Sequence, residues 1–280
     1  MTDSTNETNP TADRYAVIGH PVAHSKSPDI HARFAMQTGQ NVRYERLLAP
    51  LNGFVDTVHA FMREGGRGAN VTVPFKLEAH AMATSLSARA KAAGAVNTLR
   101  FDGDVILGDN TDGVGLVVDI VRNAAISLSG KKILLLGAGG AARGVVLPLL
   151  NERPAELVIA NRTVQKAEEL ARLFGAHGAV RACNFAALDT SFDVVINATS
   201  ASLAAAVPPI APAVFGTETL AYDMMYGKEP TVFMRFAQQH GAAVRDGLGM
   251  LVEQAAESFF VWRAVRPDTV SVLRDLRAGL

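Results

Sequence analysis

Midway along the chain lies the segment KKILLLGAGGAA, residues 131–142. Its apolar run 133–136 is typical of a buried strand, and GAGGAA at 137–142 has the spacing G-x-G-x-x-A. Such glycines allow a tight turn and bring backbone N–H groups close to a phosphate at the start of a helix. The segment predicts a dinucleotide-binding turn, with an ordinary strand-to-helix turn as the alternative. The residues expected to hold the pyrophosphate are Gly137, Ala138, Gly139, Gly140 and Ala141.

The choice of cofactor depends on Asn161-Arg162-Thr163, which follows a second predicted strand at 157–160. An NAD-binding protein usually offers Asp or Glu to the ribose hydroxyls at this position. Here no carboxylate stands to repel a 2′-phosphate, Arg162 can pair with it, and Lys166 on the following helix can add a second cation. NADP is therefore favoured. The alternative is that Arg162 and Lys166 are solvated charges beside Thr163, a helix N-cap.

Composition limits the class of protein. The chain has 280 residues, enough for two domains of ordinary size, and 27 basic residues balance 27 acidic ones, so no bulk field favours nucleic acid or an anionic membrane. No apolar run is long enough to span a bilayer. The single cysteine, Cys183, excludes a disulfide framework and a cysteine metal cluster. We expect a cytoplasmic protein with no metal site, and a disordered tail over residues 1–13.

Short β-rich runs alternate with helical patterns along the rest of the chain, which predicts an α/β fold with parallel pairing. Asp102-Gly103 between two such runs indicates a tight hairpin. Two final helices, near 250–263 and 268–277, have no docking site that the sequence reveals. The predicted strands are 15–18, 42–47, 69–73, 96–100, 105–107, 133–136, 157–160, 193–197 and 220–223.

Polar residues recur where the N-terminal strands end. In Ser25-Lys26-Ser27-Pro28, Pro28 suits the first position of a helix with Ser27 as its cap, so helix capping alone explains this segment adequately. The stretch NVTVPFK, 70–76, alternates polar and apolar residues and presents Lys76 after a turn. Turn chemistry likewise accounts for DNTDG at 109–113. What local structure does not explain is their joint occurrence upstream of a nucleotide-binding segment.

Taken together, these segments resemble the shikimate dehydrogenase family. The matching stretches, in chain order, are 24–28 (HSKSP), 68–76 (GANVTVPFK), 94–98 (GAVNT), 108–113 (GDNTDG), 137–142 (GAGGAA), 161–163 (NRT), 197–200 (NATS), 222–224 (YDM) and 247–251 (GLGML). The resemblance runs from about Tyr15 to near the C-terminus. It implies an N-terminal α/β substrate domain, 14–112 completed by 248–280. A Rossmann-type, doubly wound NADP-binding domain, 113–247, would face it across a cleft that opens and closes.

The resemblance also implies an activity and a role for each matching residue. The activity is the reversible, NADP-dependent reduction of 3-dehydroshikimate to shikimate, in the pathway to chorismate and the aromatic amino acids. Lys76 would be catalytic, with Asp112 beside it. Met224 and Gly247 would contact the nicotinamide end of the cofactor. The implied substrate-binding residues are Ser25 and Ser27, which hold the carboxylate with Tyr226, and Thr72, Asn97, Asp112 and Gln254, which bind around the ring hydroxyls.

Two positions depart from the family pattern. After NATS the family continues with one residue and then Gly, whereas this chain has Ala201-Ser202; Ser accepts a positive φ less readily than Gly, so the backbone near the nicotinamide could differ. Ala88 stands where an acidic residue is expected, which removes one possible cofactor contact.

Hydride transfer to a ketone builds negative charge on oxygen, so the site needs a hydrogen-bond donor and a proton source. We expect Lys76 to supply both, while Asp112 orients it and binds a substrate hydroxyl.

Rival interpretations are a quinate or quinate/shikimate dehydrogenase, a non-catalytic metabolite-sensing module of the same fold, and a folate-linked dehydrogenase. The basic segment at 161–163 argues against NAD-dependent quinate enzymes, and intact Lys76 and Asp112 argue against a sensor. The partner is a small molecule, and the protein a monomer or homodimer.

Overall fold

The computed structural model describes residues 12–199, 201 and 206–280, which form two six-stranded sheets. Most of the predicted tail, residues 1–11, lies outside the described residues. Within the described part of the chain, no helix is both long and apolar enough to cross a membrane.

The first sheet is built from the N-terminal part of the chain, with strand order β2-β1-β3-β5-β6-β4. Its apolar core lies between the strands and the helices α2 to α4 and includes Phe54, Phe61 and Phe75. The elements in this part are β1 (Asp13–Gly19), α1 (Ser27–Thr38), β2 (Val42–Leu48), α2 (Phe54–Arg63), β3 (Gly66–Val71), α3 (Lys76–Met82), β4 (Ser85–Leu86), α4 (Ala88–Ala93), β5 (Thr98–Asp102) and β6 (Val105–Asp109).

Pairing in this first sheet is mixed: the expectation of parallel pairing is wrong for β3 with β5, whereas β5 and β6 form the antiparallel hairpin that was predicted. β3 pairs with β5, and β5 with β6, in antiparallel fashion. The hairpin predicted from Asp102-Gly103 is confirmed and accounts for the second of these pairs: Asp102 pairs with Val105, and Gly103 turns the chain at φ +58°. A two-residue turn reverses the chain, whereas a parallel neighbour requires a long crossover.

The second sheet has the order β12-β11-β10-β7-β8-β9, and every neighbouring pair is parallel. Read from β9, the strands follow the doubly wound order of a dinucleotide-binding fold, which confirms the predicted fold class. Its elements, with the helix that leads into it, are α5 (Asp112–Val118), β7 (Lys132–Leu136), α6 (Gly140–Asn151), β8 (Glu156–Ala160), α7 (Val164–Phe174), β9 (Val180–Cys183), β10 (Phe192–Asn197), β11 (Phe215–Asp223), α8 (Val232–Gln239) and β12 (Ala243–Arg245).

Three strands have no counterpart in the sequence prediction: β4, β9 and β12. Each lies at the edge of its sheet and has between two and four residues. An edge strand pairs on one side only and keeps polar residues, so it carries little of the apolar pattern by which strands are recognised.

The C-terminal helices α9 (Leu248–Arg263) and α10 (Val270–Ala278) return to the first part of the chain. Val252 and Phe259 of α9 are fully buried against Ile30 and Phe34 of α1, and the rings of Phe34 and Phe259 lie 5.8 Å apart. This packing supplies the docking site that the sequence left open, because the apolar residues of α1 that α9 meets lie more than 200 positions earlier in the chain.

The chain passes between the two sheets at α5 and again just before α9, and a buried carboxylate joins these crossings. Asp119 is fully buried and accepts two hydrogen bonds from Arg245, at 2.8 and 2.6 Å, and one from the Tyr222 hydroxyl at 2.7 Å. Burial and the adjacent carboxylate raise the pKa of Tyr222 well above its ordinary value, so it stays a neutral donor. Gly249 of α9 packs directly on Asp119, where a side chain would collide with the carboxylate.

Candidate active site

A cavity of about 490 Å³ lies beyond the carboxyl ends of β1, β3 and β11, between the two sheets. Loops that follow strands of both sheets line it, an arrangement that places ligands at this edge of α/β proteins. All the residues expected to contact the substrate or the nicotinamide line this one cavity: Ser25, Ser27, Thr72, Lys76, Asn97, Asp112, Met224, Tyr226, Gly247 and Gln254.

Lys76 reaches the cavity because of the turn that precedes it. The Phe75 amide donates to the Thr72 carbonyl at 3.0 Å, which closes the turn after β3, and α3 begins at Lys76. Phe75 is fully buried and stacks on Phe54, with ring centroids 4.9 Å apart. The apolar anchor next to it thus fixes the direction in which the lysine leaves the backbone.

Lys76 and Asp112 form a close ion pair inside the cavity. The distance from Lys76 Nζ to Asp112 Oδ2 is 2.6 Å, and the two side chains are 28% and 13% exposed. Asp112 is the first residue of α5, so its backbone is held by a helix at the point where the chain leaves the first sheet. A partly exposed ammonium that is held by a carboxylate keeps two N–H bonds for a ligand.

Asn97 fixes the other oxygen of this carboxylate. Its Nδ2 donates to Asp112 Oδ1 at 2.8 Å and to Thr111 Oγ1 at 2.9 Å, and lies 3.3 Å from Gln254 Oε1. Its Oδ1 accepts from the Thr111 amide at 2.8 Å, which sets the orientation of the side-chain amide. Both oxygens of Asp112 are therefore hydrogen-bonded, and three of the predicted substrate residues are in direct contact with one another.

Behind these residues is a buried polar network that the sequence analysis missed. Asn70 Oδ1 accepts from the Tyr44 hydroxyl at 2.8 Å, and Asn70 Nδ2 donates to Ser258 Oγ at 2.9 Å and to Thr98 Oγ1 at 3.1 Å. Burial raises the pKa of Tyr44 well above its ordinary value, so the hydroxyl remains a neutral donor. The members of this network come from four separate segments of the chain. In the sequence, only the position of Asn70 on the same strand face as Thr72 indicated that Asn70 lies near the site.

A histidine also lies behind the site without contributing charge. His31 is fully buried and stacks on Tyr44, with ring centroids 4.2 Å apart. Burial lowers its pKa to about 3, so the imidazole is neutral at physiological pH.

The serine loop, residues 25–27, lines the cavity and does not cap α1 in the predicted way. Helix α1 begins at Ser27, and its N-cap is Lys26, whose side chain makes no capping hydrogen bond. Ser27 is therefore not the cap that helix-start rules predict, because the helix extends one residue further toward the N-terminus. Ser25 Oγ accepts from the Ser27 amide at 3.2 Å, which leaves the Ser25 hydroxyl proton available to a ligand.

The glycine turn has the form that a pyrophosphate needs. Gly137 ends β7 with φ +107°, a conformation that favours glycine, and α6 begins at Gly140. Gly139 and Gly140 are exposed, and a side chain at either position would meet no atom within 4 Å. The turn is thus an open cradle at the positive end of a 12-residue helix, which fits a dinucleotide phosphate.

The residues expected at the adenosine phosphate lie at the end of β8. Asn161 Nδ2 donates to the Thr163 carbonyl at 2.8 Å and shapes the loop, while Arg162 and Lys166 are exposed. Neither cation forms an ion pair with any residue that the structure describes. Thr163 is the N-cap of α7, but its side chain makes no capping bond.

Three family models match the chain, in order. The shikimate dehydrogenase substrate binding domain matches residues 17–99, shikimate/quinate 5-dehydrogenase matches 119–206, and the shikimate 5′-dehydrogenase C-terminal domain matches 247–276. A relative from Herminiimonas arsenicoxydans, named shikimate dehydrogenase (NADP(+)), is 69% identical over 268 residues, which cover 96% of this chain and 98% of the relative. The chain belongs to the shikimate dehydrogenase family.

Solved structures agree with this membership. An enzyme from Pseudomonas putida superimposes on this chain with a TM-score of 0.91 at 48% identity, covering 95% of this chain and 98% of that one. The shikimate 5-dehydrogenase of Thermus thermophilus, in complex with NADP(H) and shikimate, gives a TM-score of 0.85 at 34% identity and covers 96% and 100% of the two chains.

The structure describes one of the two positions that depart from the family pattern. Ser202 lies outside the described residues, as does Ser200. Ala88 is the exposed first residue of α4. Among the described residues of this dehydrogenase, no group of three or more His, Cys, Asp or Glu side chains is placed to hold a metal ion.

Proposed function

We propose that Lys76 and Asp112 are the catalytic pair with which this chain, an NADP-dependent shikimate dehydrogenase, interconverts 3-dehydroshikimate and shikimate. The observation that carries the proposal is the 2.6 Å contact of Lys76 Nζ with Asp112 Oδ2, in the same cavity as the serine loop and Met224. The enzyme acts in the shikimate pathway, which leads to the aromatic amino acids.

Lys76 supplies the proton of the reaction. NADPH, when bound, supplies the hydride that reduces the ring ketone and leaves as NADP⁺. The C=O bond becomes C–O⁻ as hydride adds to carbon, and an N–H of Lys76 donates to that oxygen while the charge develops. Transfer of this proton completes the alcohol, and the lysine regains a proton from solvent because its side chain is partly exposed. In the oxidation direction the same atoms move in reverse.

Asp112 and Asn97 orient the reacting groups. Asp112 Oδ2 holds Lys76, while Oδ1 is held by Asn97, so neither carboxylate oxygen can rotate away without losing a hydrogen bond. Each oxygen has a second lone pair with which to accept from a substrate hydroxyl. Thr72 and Gln254 also line the cavity and bind the remaining ring hydroxyls.

The serine loop binds the substrate carboxylate with neutral donors. Ser25, Ser27 and Tyr226 line the same cavity as Lys76 and Asp112. Burial raises the pKa of Tyr226, and nearby Asp246 raises it further, so its hydroxyl stays protonated. Hydroxyls bind a carboxylate less tightly than a guanidinium fork, and we expect substrate affinity in the micromolar to millimolar range.

The glycine turn, residues 137–141, holds the pyrophosphate, and the loop 161–166 holds the 2′-phosphate of NADP. Asn161 shapes this loop, Thr163 is the N-cap of the helix that follows, and Arg162 and Lys166 provide the charge. Met224 and Gly247 contact the nicotinamide end, because they lie on the second-sheet side of the cavity.

Exchange of both cations for alanine, Arg162→Ala with Lys166→Ala, is expected to raise KM for NADP by about 30-fold, because two charge-assisted contacts with the phosphate are lost. KM for NAD, which lacks that phosphate, should change less than about twofold. Steady-state kinetics with both cofactors make the measurement, and Arg172→Ala, an exposed arginine on the same helix, is the control. An equal rise for NAD and NADP would contradict the assignment.

The domain division follows from the same assignment: residues 14–112 with 248–280 form the substrate domain, and 113–247 the cofactor domain. Packing of α9 on α1 supports joining the C-terminal helices to the first part of the chain. We further propose that the enzyme is cytoplasmic, a monomer or homodimer, and without a nucleic-acid partner, since its formal charge is balanced.

The proposed reaction is tested by crossing two substrates with two cofactors. We expect turnover of shikimate with NADP to exceed that with NAD, and quinate to be the poorer substrate with either cofactor. The measurement is the initial rate of nicotinamide absorbance change for the four pairs at equal concentrations. Turnover confined to quinate with NAD would contradict the proposal and would favour the quinate enzyme.

A further inference from the structure

Arg46 contacts the serine loop from outside the cavity. It lies on β2, opposite Val17 of β1, and its guanidinium is exposed. Both Nε and Nη2 donate to the carbonyl oxygen of Ser25, at 3.1 and 2.6 Å. Two donors of one rigid fork on a single carbonyl fix the position of that oxygen more closely than one donor could.

This contact is not part of an ion pair. Among the described residues, no carboxylate lies within salt-bridge distance of Arg46, whereas Arg14, on the neighbouring strand, pairs with Glu45 at 2.8 Å. An exposed arginine whose Nε and Nη2 both donate to a neutral backbone oxygen contributes little to stability through its charge. Its effect is instead on the conformation of residues 25–27.

The orientation of the Ser25–Lys26 peptide is what the contact determines. The peptide is trans, so its N–H points away from the side to which its C=O points. With the Ser25 carbonyl directed at Arg46, the Lys26 amide is directed to the opposite side, and no described backbone or side-chain atom accepts a hydrogen bond from it. Lys26 lines the cavity, as do Ser25 and Ser27.

We propose that Arg46 is a positioning residue for substrate binding: it holds the Ser25–Lys26 peptide so that the Lys26 amide and the Ser25 hydroxyl both donate to the substrate carboxylate. The proposal rests on the assignment of Ser25 and Ser27 to the carboxylate. It adds a backbone donor to the site and gives an exposed residue on β2 a role in the selection of carboxylic acids.

The test compares Arg46→Gln and Arg46→Lys with Arg43→Gln, an exposed arginine on the same strand. Arg46→Gln is expected to raise both KM and Kd for shikimate about five- to tenfold, with kcat changed less than about twofold, because a carboxylate donor is misplaced while the hydride path is intact. Kd is measured by calorimetry on the NADPH-loaded enzyme, in which shikimate has no oxidant and binds without being turned over. KM for NADP and the thermal midpoint should match those of wild type, as should every value for Arg43→Gln.

The conservative variant separates positioning from simple charge. Arg46→Lys keeps the charge but not the planar fork, so it should remain at least about threefold weaker in Kd than wild type. The methyl ester of shikimate gives a further readout: wild type should prefer the acid to the ester, and Arg46→Gln should reduce that preference. Wild-type affinity in Arg46→Lys, or an unchanged acid-to-ester ratio in Arg46→Gln, would overturn the proposal.

Ser27→Ala distinguishes failure of this inference from failure of the proposed function. If Ser27→Ala weakens shikimate binding and Arg46→Gln does not, the carboxylate is still assigned to the serine loop, and the positioning role proposed for Arg46 is refuted. If neither variant weakens binding, the assignment of the carboxylate to the serine loop is itself wrong.

Discussion

Replacement of Lys76 by alanine is expected to lower kcat about a thousandfold or more, while KM for shikimate changes less than about tenfold. The lysine is asked to do two things in one step, namely to donate to the developing oxyanion and to deliver the proton. Alanine removes both functions, but it leaves the serine loop and the hydrogen-bonded pair of Asn97 and Asp112, which bind the substrate. An effect on turnover that exceeds the effect on KM is the signature of an interaction made mainly in the transition state.

Steady-state kinetics in both directions, with purified protein and saturating cofactor, provide the measurement. Lys91→Ala, an exposed lysine near the end of α4, is the control and should behave as wild type. Turnover of Lys76→Ala near the wild-type value would refute the assignment of this lysine. A thermal midpoint close to that of wild type is also expected, because the side chain is not part of an apolar core.

Asparagine in place of aspartate at position 112 is expected to lower kcat/KM for shikimate by about a hundredfold or more. Both oxygens of Asp112 accept hydrogen bonds, one from Lys76 and one from Asn97. An amide has only one oxygen, so its NH₂ group must face one of these two donors. Either Lys76 or Asn97 then loses its hydrogen bond to residue 112, and the lysine is no longer held in its orientation.

Two comparisons make the Asp112→Asn result specific. Asp104→Asn changes the same pair of residue types at an exposed hairpin position and should leave kinetics unchanged. The double variant Lys76→Ala with Asp112→Asn should be little worse than Lys76→Ala alone, since residues that act as a unit are not additive. If the two losses multiply in full, Asp112 acts independently of Lys76 and the paired mechanism is wrong.

Sequence patterns were most informative where the chemistry is local. The glycine turn at 137–142 and the hairpin at Asp102-Gly103 each depend on residues a few positions apart, and the structure contains both. The short edge strands and the start of α1 were missed or misplaced, because such boundaries depend on packing and not on local propensity.

Site residues could be assigned from the sequence only through the resemblance to a family. Taken singly, Asn97, Asp112 and Gln254 have ordinary structural explanations, and nothing in their spacing predicts contact. They meet because the starts of β5 and α5 converge with α9 at the cavity. Arg46 and Tyr44 had no signal at all, since an exposed arginine and a strand tyrosine are common in any α/β protein.

Local sequence thus determines the glycine turn at 137–142, the absence of a carboxylate at the ribose position and the presence of a lysine after the end of a strand. Each of these features depends only on residues that are neighbours in the sequence. Tertiary structure decides which side chains share the cavity, that Asp112 meets Lys76, that α9 returns to α1, and that Arg46 holds the serine loop. The physical reason is that these contacts join residues that lie 21 to more than 200 positions apart in the sequence. Which of these residues meet depends on the order of the strands, and local propensity does not encode that order.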